Sequence, residues 1–332
     1  MLQSRFGAVD IRLCGWAVRA VLLLWLVLAS RLVQSAWAAE WSVDLPPSPG
    51  ITGARFELWT PPATSRGEAW RVVVLVSAYE GAAGIYGEPE WRRWAEVNRA
   101  VLVRHRVVNE GERFVLVRGE VLAAALVRGL ERLAEMSTHP EIATVPWVAT
   151  GLSQAGWQAH SLANARPDRV AAVIAWHAST NVRDPAQYEH PGGRQVPMLH
   201  LMAGRERFPI DVRPAVIAAR GQGAPWAYAL QVGVAHHELG PVELPLAWLT
   251  AVLTGRLAPA GAGSLRPIRL EGGWVARSVE IATDPFDRRV TRADVAAWHE
   301  AAADREELPW WPDEQTARAW LAATPVEPGA GN

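Results

Sequence analysis

One serine of this chain has the small neighbours that a nucleophile on a tight turn requires. The stretch GLSQA places Ser153 two residues after Gly151 and two residues before Ala155. Small side chains at these two positions allow a sharp turn between a strand and a helix, and this turn exposes the serine hydroxyl. An exposed serine of this kind attacks carbonyl carbon atoms in acyl transfer. The alternative is an ordinary serine in a turn between a strand and a helix.

Two adjacent histidines, His236 and His237, are candidates for the base that such a serine needs. A serine hydroxyl is a weak nucleophile at neutral pH, so an imidazole must accept its proton. His236 is preferred because the stretch GVAH, which ends on it, is similar to the Gly-x-Gly-His turn that usually presents such a base. For His237 the alternative is a solvated or capping role. Neighbouring side chains of an extended segment point apart and the chain has no HExxH motif, so we expect no metal site.

The segments around these residues predict the elements that must position them. Six short apolar runs are typical of strands buried on both faces of a parallel sheet, and they cover residues 71–77, 100–105, 144–150, 171–177, 197–204 and 226–233. Helical patterns fall at residues 120–136, 157–169 and 242–255. Strand and helix alternate, which predicts an α/β fold with a mainly parallel sheet covered by helices on both faces.

Two further segments are interpreted from their composition. Residues 54–60 alternate loosely between polar and apolar side chains and are bracketed by proline-rich stretches, which predicts an antiparallel edge strand. The C-terminal segment, about 265–332, follows a Gly/Ala/Pro-rich linker and has too few apolar runs for a core of its own. We therefore interpret it as a cover on the same domain.

Tryptophan is unusually frequent, with 18 residues against 5 phenylalanines. Trp91, Trp94, Trp157 and Trp176 fall in segments that could line a cleft, where indole rings stack on sugar or phenolic rings of a substrate. The alternative is that they are core and rim residues.

The N-terminal residues 1–38 have the pattern of a secretory signal peptide. Arg5, Arg12 and Arg19 precede the apolar run 20–30, and the stretch SAWAAE offers a site with small residues, which predicts cleavage after residue 38. The apolar run is shorter than the roughly 20 residues that a helix needs to span a bilayer. We expect a periplasmic or secreted protein without stable membrane association after removal of the leader, and an uncleaved anchor is the alternative.

After the leader, residues 39–332 are predicted to form a single domain. This domain has no disulfides, because the only cysteine, Cys14, lies in the leader. With 33 basic and 34 acidic residues, the chain has no excess of positive charge that would attract nucleic acid or an anionic membrane, and we expect it to bind neither. The sequence contains no lysine, which excludes Schiff-base chemistry, pyridoxal phosphate attachment and a phosphate-loop lysine.

The leader, the Ser153 motif, the histidine turn and the C-terminal stretch WWPDEQTARAW together resemble a secreted α/β-hydrolase. The chain is similar to the poly(3-hydroxybutyrate) depolymerase and feruloyl-esterase-like group, roughly over residues 50–325 in the order of its elements. This resemblance implies an α/β-hydrolase fold and a serine esterase that works through an acyl-enzyme. It also implies a small-molecule or polymeric ester as substrate and no cofactor.

The same resemblance implies an acid between the serine and the histidine in chain order. The family usually carries it as Gly-x-x-Asp after the penultimate strand, whereas the stretch here is GRER, with arginine at the aspartate position. Glu206 is preferred because its longer side chain compensates for lying one residue early. Asp211 and Asp184 remain alternatives, and the alternative role of Glu206 is a surface ion pair with a neighbouring arginine.

An oxyanion hole of two backbone N–H groups is also implied, one from Gln154 after the serine and one from Tyr79 in the loop after an early strand. The usual His-Gly pair of that loop is replaced here by Ser77 and Ala78. Glu80 departs from the family, because a carboxylate near a developing oxyanion raises the barrier unless it points away or is paired. The altered segments also permit a catalytically silent binding protein on this fold, and a serine peptidase is a third possibility.

Overall fold

A computed structural model describes residues 39–62, 69–78, 83–109, 117–179, 191–206, 212–258, 265–284, 287–301 and 305–326. The predicted leader, residues 1–38, lies outside them. Within these ranges, no helix is both long enough and apolar enough to cross a lipid bilayer.

Eight strands form the main sheet. They are β1 (Ala39–Leu45), β2 (Gly53–Thr60), β3 (Val72–Ser77), β4 (Ala100–Val108), β5 (Trp147–Leu152), β6 (Val170–Trp176), β7 (Met198–Arg205) and β8 (Trp226–Ala235). Their spatial order is β1-β2-β4-β3-β5-β6-β7-β8. β2 runs antiparallel to both of its neighbours, β1 and β4. The strands β4-β3-β5-β6-β7-β8 run parallel to one another. This is the strand order of the α/β-hydrolase fold, which confirms the predicted fold class.

Helices lie between the strands along the chain and cover both faces of the sheet. Those in the described ranges are α1 (Ala83–Gly87), α2 (Pro89–Val97), α3 (Gly119–Ser137), α4 (Gln154–Ala165), α5 (Pro191–Arg194), α6 (Arg213–Arg220), α7 (Glu243–Arg256) and α8 (Glu314–Ala323). The predicted helices at 120–136, 157–169 and 242–255 correspond to α3, α4 and α7.

Alternate residues of the central strands point into two different cores. Val73 of β3 belongs to a core that includes Leu126 of α3 and Leu162 of α4. Its neighbour Val74 belongs to the opposite core, together with Trp248 of α7. Successive side chains of a strand point to opposite faces, so a sheet covered on both faces buries every position. Every residue of β3, β5 and β6 is indeed buried, as the continuous apolar runs predict.

The prediction of an edge strand at residues 54–60 is wrong in its position. This segment forms β2, and β1 pairs antiparallel along its whole outer side. Trp41, Val43 and Leu45 alternate along β1 and pack against the core, which holds this strand on the sheet. β1 is therefore the strand at this end of the sheet.

The C-terminal segment contains a second antiparallel sheet that the apolar pattern does not predict. Its strands are β9 (Trp274–Asp284), β10 (Asp287–Ala297) and the short β11 (Trp310–Trp311), in the order β10-β9-β11. The segment enters both cores of the main sheet, through Val290 on one side and through Trp311 and Trp320 on the other. The buried Arg288 donates to the backbone oxygen of Ala203 in β7 (2.6 Å). The segment thus packs directly on the main sheet.

Candidate active site

Ser153 lies between the end of β5 and the start of α4 in a strained backbone conformation. β5 ends at Leu152 and α4 begins at Gln154. The backbone of Ser153 has φ 56° and ψ -122°. Conformations of this kind cost a residue other than glycine about 1–3 kcal/mol and persist where the surrounding structure imposes them, often at functional sites.

The close approach of strand and helix explains the small residues of the motif. A Cβ atom on Gly151 would lie 2.5 Å from the backbone carbonyl carbon of Ala155 and 2.6 Å from its Cβ. A Cβ atom on Gly156 would lie 2.6 Å from the Cβ of Ala178. Cβ atoms of real side chains essentially never approach other heavy atoms this closely, so a side chain at either glycine would force α4 or its neighbour to shift. The alanine at position 155 fits because position 151 carries no side chain.

His236 and Glu206 form a hydrogen-bonded pair just beyond the carboxyl ends of β8 and β7. The Nδ1 of His236 lies 2.8 Å from the Oε2 of Glu206. The side chain of Glu206 is 7% exposed and that of His236 is 22% exposed, so this carboxylate is not a surface group. A carboxylate at Nδ1 holds the proton on that nitrogen and leaves Nε2 able to accept another one.

The other candidates named from the sequence are placed differently. His237 is exposed, and its ring meets the ring of His236 edge-on, with centroids 4.9 Å apart. Asp184 and Asp211 lie outside the described residues. Glu206 is therefore the candidate acid whose contact with a histidine is described.

Two consecutive residues at the end of β6 connect the serine turn with the histidine turn. The backbone N–H of Ser153 donates to the backbone oxygen of Trp176 (2.8 Å). The next residue, His177, places its Nδ1 2.9 Å from the backbone oxygen of His236. Ser153 and His236 therefore lie at the same edge of the sheet, each within one hydrogen bond of the same dipeptide.

His177 is a site residue that no motif indicates. It is 1% exposed and has φ 46°, and its Nε2 lies 2.8 Å from the Oε1 of Gln231. Gln231 donates from Nε2 to the backbone oxygen of Leu239 (3.1 Å). Burial lowers the pKa of His177. The signal that points to it is its place at the end of the apolar run 171–177, at the edge where the carboxyl ends of parallel strands meet.

The turn that carries His236 is fixed by its own hydrogen bonds. The carboxylate of Glu238 accepts from the backbone N–H of Ala235 (2.8 Å), and the N–H of Glu238 donates to the backbone oxygen of Ala235 (3.0 Å). Gly233 and Gly240 flank this turn with φ values of 77° and 65°, which glycine adopts without steric cost.

One of the two expected oxyanion donors belongs to the described residues. Gln154 is the first residue of α4, so its backbone N–H has no partner inside the helix, and it lies at the positive end of the helix dipole. Tyr79 and the neighbouring Glu80 lie outside the described residues. A Cβ atom on Gly84 in α1 would lie 3.7 Å from the Cδ1 of Leu239, so the helix that follows this loop reaches the histidine turn.

Of the four tryptophans that could line a cleft, three are core residues, as the alternative interpretation has it. Trp91 and Trp176 are fully buried, and Trp94 is buried with its Nε1 donating to Thr250 (2.8 Å). They fill the core between the sheet and the helices α2 and α7, because an indole ring supplies a large apolar surface. Trp157, on α4, is partly exposed.

A serine at a strained turn and a histidine paired with a buried carboxylate are the components of acyl transfer. In the described part of the chain, no group of three or more His, Cys, Asp or Glu side chains is arranged to hold a metal ion. The serine turn and the histidine–carboxylate pair favour nucleophilic chemistry at this edge of the sheet.

Comparisons with known proteins find matches among solved structures, all at low sequence identity. No family model and no curated protein matches the chain. The Thermus thermophilus protein TT1662 matches with 18% identity over 66% of this chain and 100% of its own, with a TM-score of 0.41.

Other solved structures that match are described as esterases and serine hydrolases. A fungal esterase of Rhizomucor miehei matches with 10% identity over 66% of this chain and 84% of its own, with a TM-score of 0.47. A fluorophosphonate-binding serine hydrolase of Staphylococcus aureus matches with 11% identity over 58% of this chain and 90% of its own, with a TM-score of 0.41. Likeness at this level says nothing of activity, and the assignment of the fold rests on the strand order.

Proposed function

We propose that this chain is an exported serine hydrolase that cleaves carboxylic esters through an acyl-enzyme intermediate. The proposal is carried by the pair of His236 and Glu206, whose side chains lie 2.8 Å apart at the edge of the sheet where Ser153 occupies its strained turn. The choice of ester as substrate is supported by the resemblance of the serine and histidine motifs to secreted esterases.

In the first half of the reaction, the Oγ of Ser153 attacks the ester carbonyl carbon. The Nε2 of His236 accepts the hydroxyl proton, while Glu206 holds the ring in place and stabilises the imidazolium that forms. The carbonyl oxygen becomes an oxyanion, to which the backbone N–H groups of Gln154 and Tyr79 donate. The C–O bond to the alcohol then breaks, and the alcohol leaves with the proton from His236.

In the second half, water attacks the carbonyl carbon of the acyl-enzyme. His236 accepts a proton from the water and returns it to the Oγ of Ser153 as the acyl bond breaks. The carboxylic acid is released and the serine is restored. The net reaction consumes one ester and one water, and no cofactor takes part.

A fluorophosphonate probe tests this chemistry directly. We expect labelling of the wild type and of His237→Gln, and no labelling of Ser153→Ala or His236→Gln, with circular dichroism showing that all four fold. Folded wild type that stays unlabelled would instead support a binding protein without activity. Hydrolysis of aminoacyl amides would support a peptidase, because amide cleavage is not expected of an esterase.

Within esters, we propose the substrates of the poly(3-hydroxybutyrate) depolymerase and feruloyl-esterase-like group, small or polymeric. The support for this narrower class is the resemblance of the motifs alone. Hydrolysis rates on poly(3-hydroxybutyrate), feruloyl esters and acetylated sugars would rank these substrates, and activity confined to acetylated sugars would contradict the narrower class.

Export is proposed from the pattern of the N-terminal residues 1–38, which combines basic residues, an apolar run and a small-residue site. Expression of the full chain in a bacterium, followed by mass spectrometry of the periplasmic and membrane fractions, tests it. A periplasmic product that begins at Ala39 is expected. A product that retains residue 1 in the membrane fraction would contradict cleavage.

A further inference from the structure

His177 and Gln231 join two backbone oxygens of the histidine turn through a row of three polar contacts. The Nδ1 of His177 lies 2.9 Å from the backbone oxygen of His236. Its Nε2 lies 2.8 Å from the Oε1 of Gln231, whose Nε2 lies 3.1 Å from the backbone oxygen of Leu239. The row therefore begins and ends on the turn that carries His236, while His177 belongs to the end of β6.

This row needs more hydrogens than a neutral histidine supplies. A backbone oxygen can only accept, so Gln231 must donate to Leu239 and turn its own oxygen toward His177. His177 must then donate from both ring nitrogens, which an imidazolium does and a neutral imidazole does not. If the amide of Gln231 is reversed, its oxygen faces the backbone oxygen of Leu239. Both atoms are acceptors, so the contact at Leu239 then lacks a hydrogen. One of the three contacts lacks a hydrogen as long as His177 is neutral.

We propose that His177 is a positioning residue, which holds the turn of the base His236 against the end of β6, and that uptake of a second proton by His177 completes this hold. The inference rests on the proposed function of His236 as a base. His177 acts on the reaction only through the backbone of that residue.

Among the residues that the structure describes, the titratable groups whose charges act on His177 are His236, on the turn after β8, and Glu206, at the end of β7. The rings of His177 and His236 have centroids 6.2 Å apart. Burial opposes a charge on His177 more strongly than its hydrogen bonds favour it, so its pKa is lowered from the ordinary value. His177 is therefore expected to take up the second proton only in more acidic solution than an ordinary histidine does.

Kinetics of His177→Ala test the positioning role. We expect kcat for a nitrophenyl ester to fall about 10- to 100-fold, with KM changed less than about twofold, because a displaced base slows proton transfer without removing substrate contacts. His177→Gln keeps a donor near the backbone oxygen of His236 and is expected to recover part of kcat. The matched control is His200→Ala. It removes a different buried imidazole, which belongs to β7, and is expected to leave kcat unchanged. An unchanged kcat in His177→Ala would overturn the inference.

Two measurements do not depend on activity. Amide hydrogen exchange at Glu238, whose N–H closes the turn, is expected to be faster in His177→Ala than in the wild type. Nitrogen NMR of the imidazole is expected to show one N–H on His177 at pH 7.5 and two in acid. If His177 keeps a single N–H until the protein unfolds, the proposed uptake of a second proton is wrong. If the wild type is not labelled by fluorophosphonate but Glu238 exchanges faster in His177→Ala, the proposed function fails while the hold on the turn is supported.

Discussion

Gly156 and Ala178 approach so closely that a methyl group on the glycine would lie 2.6 Å from the Cβ of the alanine. This contact sets the distance between α4 and the segment after β6. Gly156→Ala is expected to lower the free energy of unfolding in urea by about 1–3 kcal/mol through overpacking. It is also expected to slow fluorophosphonate labelling, because α4 begins directly after Ser153.

The matched control for this change is Gly255→Ala, in the last turns of α7. The nearest atom to a Cβ there lies 3.9 Å away, which is an ordinary contact. Alanine is favoured over glycine in a helix by about 0.5–1 kcal/mol, so this variant is expected to be slightly more stable than the wild type. Equal stability changes at the two glycines would contradict the packing account.

The charge of Glu206 is tested by Glu206→Gln, which keeps the size of the side chain. Without the carboxylate, the imidazolium of His236 loses its stabilising partner and the ring loses its preferred orientation. By analogy with the aspartate of known serine triads, kcat/KM for a nitrophenyl ester is expected to fall about 10²- to 10⁴-fold.

Glu280→Gln provides the comparison for this loss. The side chain of Glu280 is 9% exposed and pairs with Arg213 (3.0 Å), so it is a largely buried carboxylate of β9. Its replacement is expected to reduce stability and to leave kcat/KM within about twofold, as for a change that touches no reacting group. Full activity of Glu206→Gln would remove Glu206 from the proposed mechanism.

The strain at Ser153 predicts different stabilities for two inactive variants. Ser153→Ala and Ser153→Gly both lose the hydroxyl, and neither is expected to be labelled. Glycine adopts the φ of 56° without steric cost, so the glycine variant is expected to be about 1 kcal/mol more stable than the alanine variant. At Ser161, inside α4, the order is expected to reverse because glycine is the poorer helix former. Chemical denaturation of the four variants gives both differences, and the same order at both sites would contradict the strain.

Buried histidines predict that the protein loses stability in acid. Burial lowers the pKa of His105 and of His160 to about 4, and lowers that of His200 well below its ordinary value. The unfolded chain protonates these groups near pH 6.5, whereas the folded protein keeps them neutral, so the unfolded state binds more protons. Stability is therefore complete above about pH 6.5 and falls toward pH 4, with each group costing about 2 kcal/mol at pH 5.

His200→Leu measures one of these contributions. We expect the difference in unfolding free energy between pH 8 and pH 5 to be smaller by about 2 kcal/mol than in the wild type. His299→Leu serves as the control, because this side chain is 74% exposed and its replacement is expected to leave the difference unchanged. If the difference in unfolding free energy between pH 8 and pH 5 is the same in His200→Leu as in the wild type, His200 is protonated in the folded state.

The main sheet could be predicted because its strands are buried on both faces and therefore appear as continuous apolar runs. β9 and β10 carry charged residues such as Arg277, Glu280 and Arg288 between apolar ones. Their alternation of polar and apolar residues is weak, and Val290 of β10 is buried in a core of the main sheet. β1 directly follows the predicted leader, and its place beside β2 is set by tertiary pairing.

The residues of the site also differ in whether the sequence near them indicates their role or only contacts with distant parts of the chain do. Ser153 is indicated by its glycine and alanine neighbours, and His236 by its place after the last predicted strand. The contacts of His177 join it to Gln231 and His236, which lie 54 and 59 residues further along the chain. No short motif records such a contact, so its role becomes visible only when the strands are assembled.

The dipeptide Trp176-His177 also has a mechanical consequence. Ser153 and His236 are each hydrogen-bonded to this dipeptide, whose two residues are joined by one peptide bond. We therefore expect a displacement of the end of β6 to move both residues in the same direction. We therefore expect the separation between Ser153 and His236 to vary less than the position of either residue alone. The two side chains that we propose as nucleophile and base thereby share a single support, although they come from distant parts of the chain.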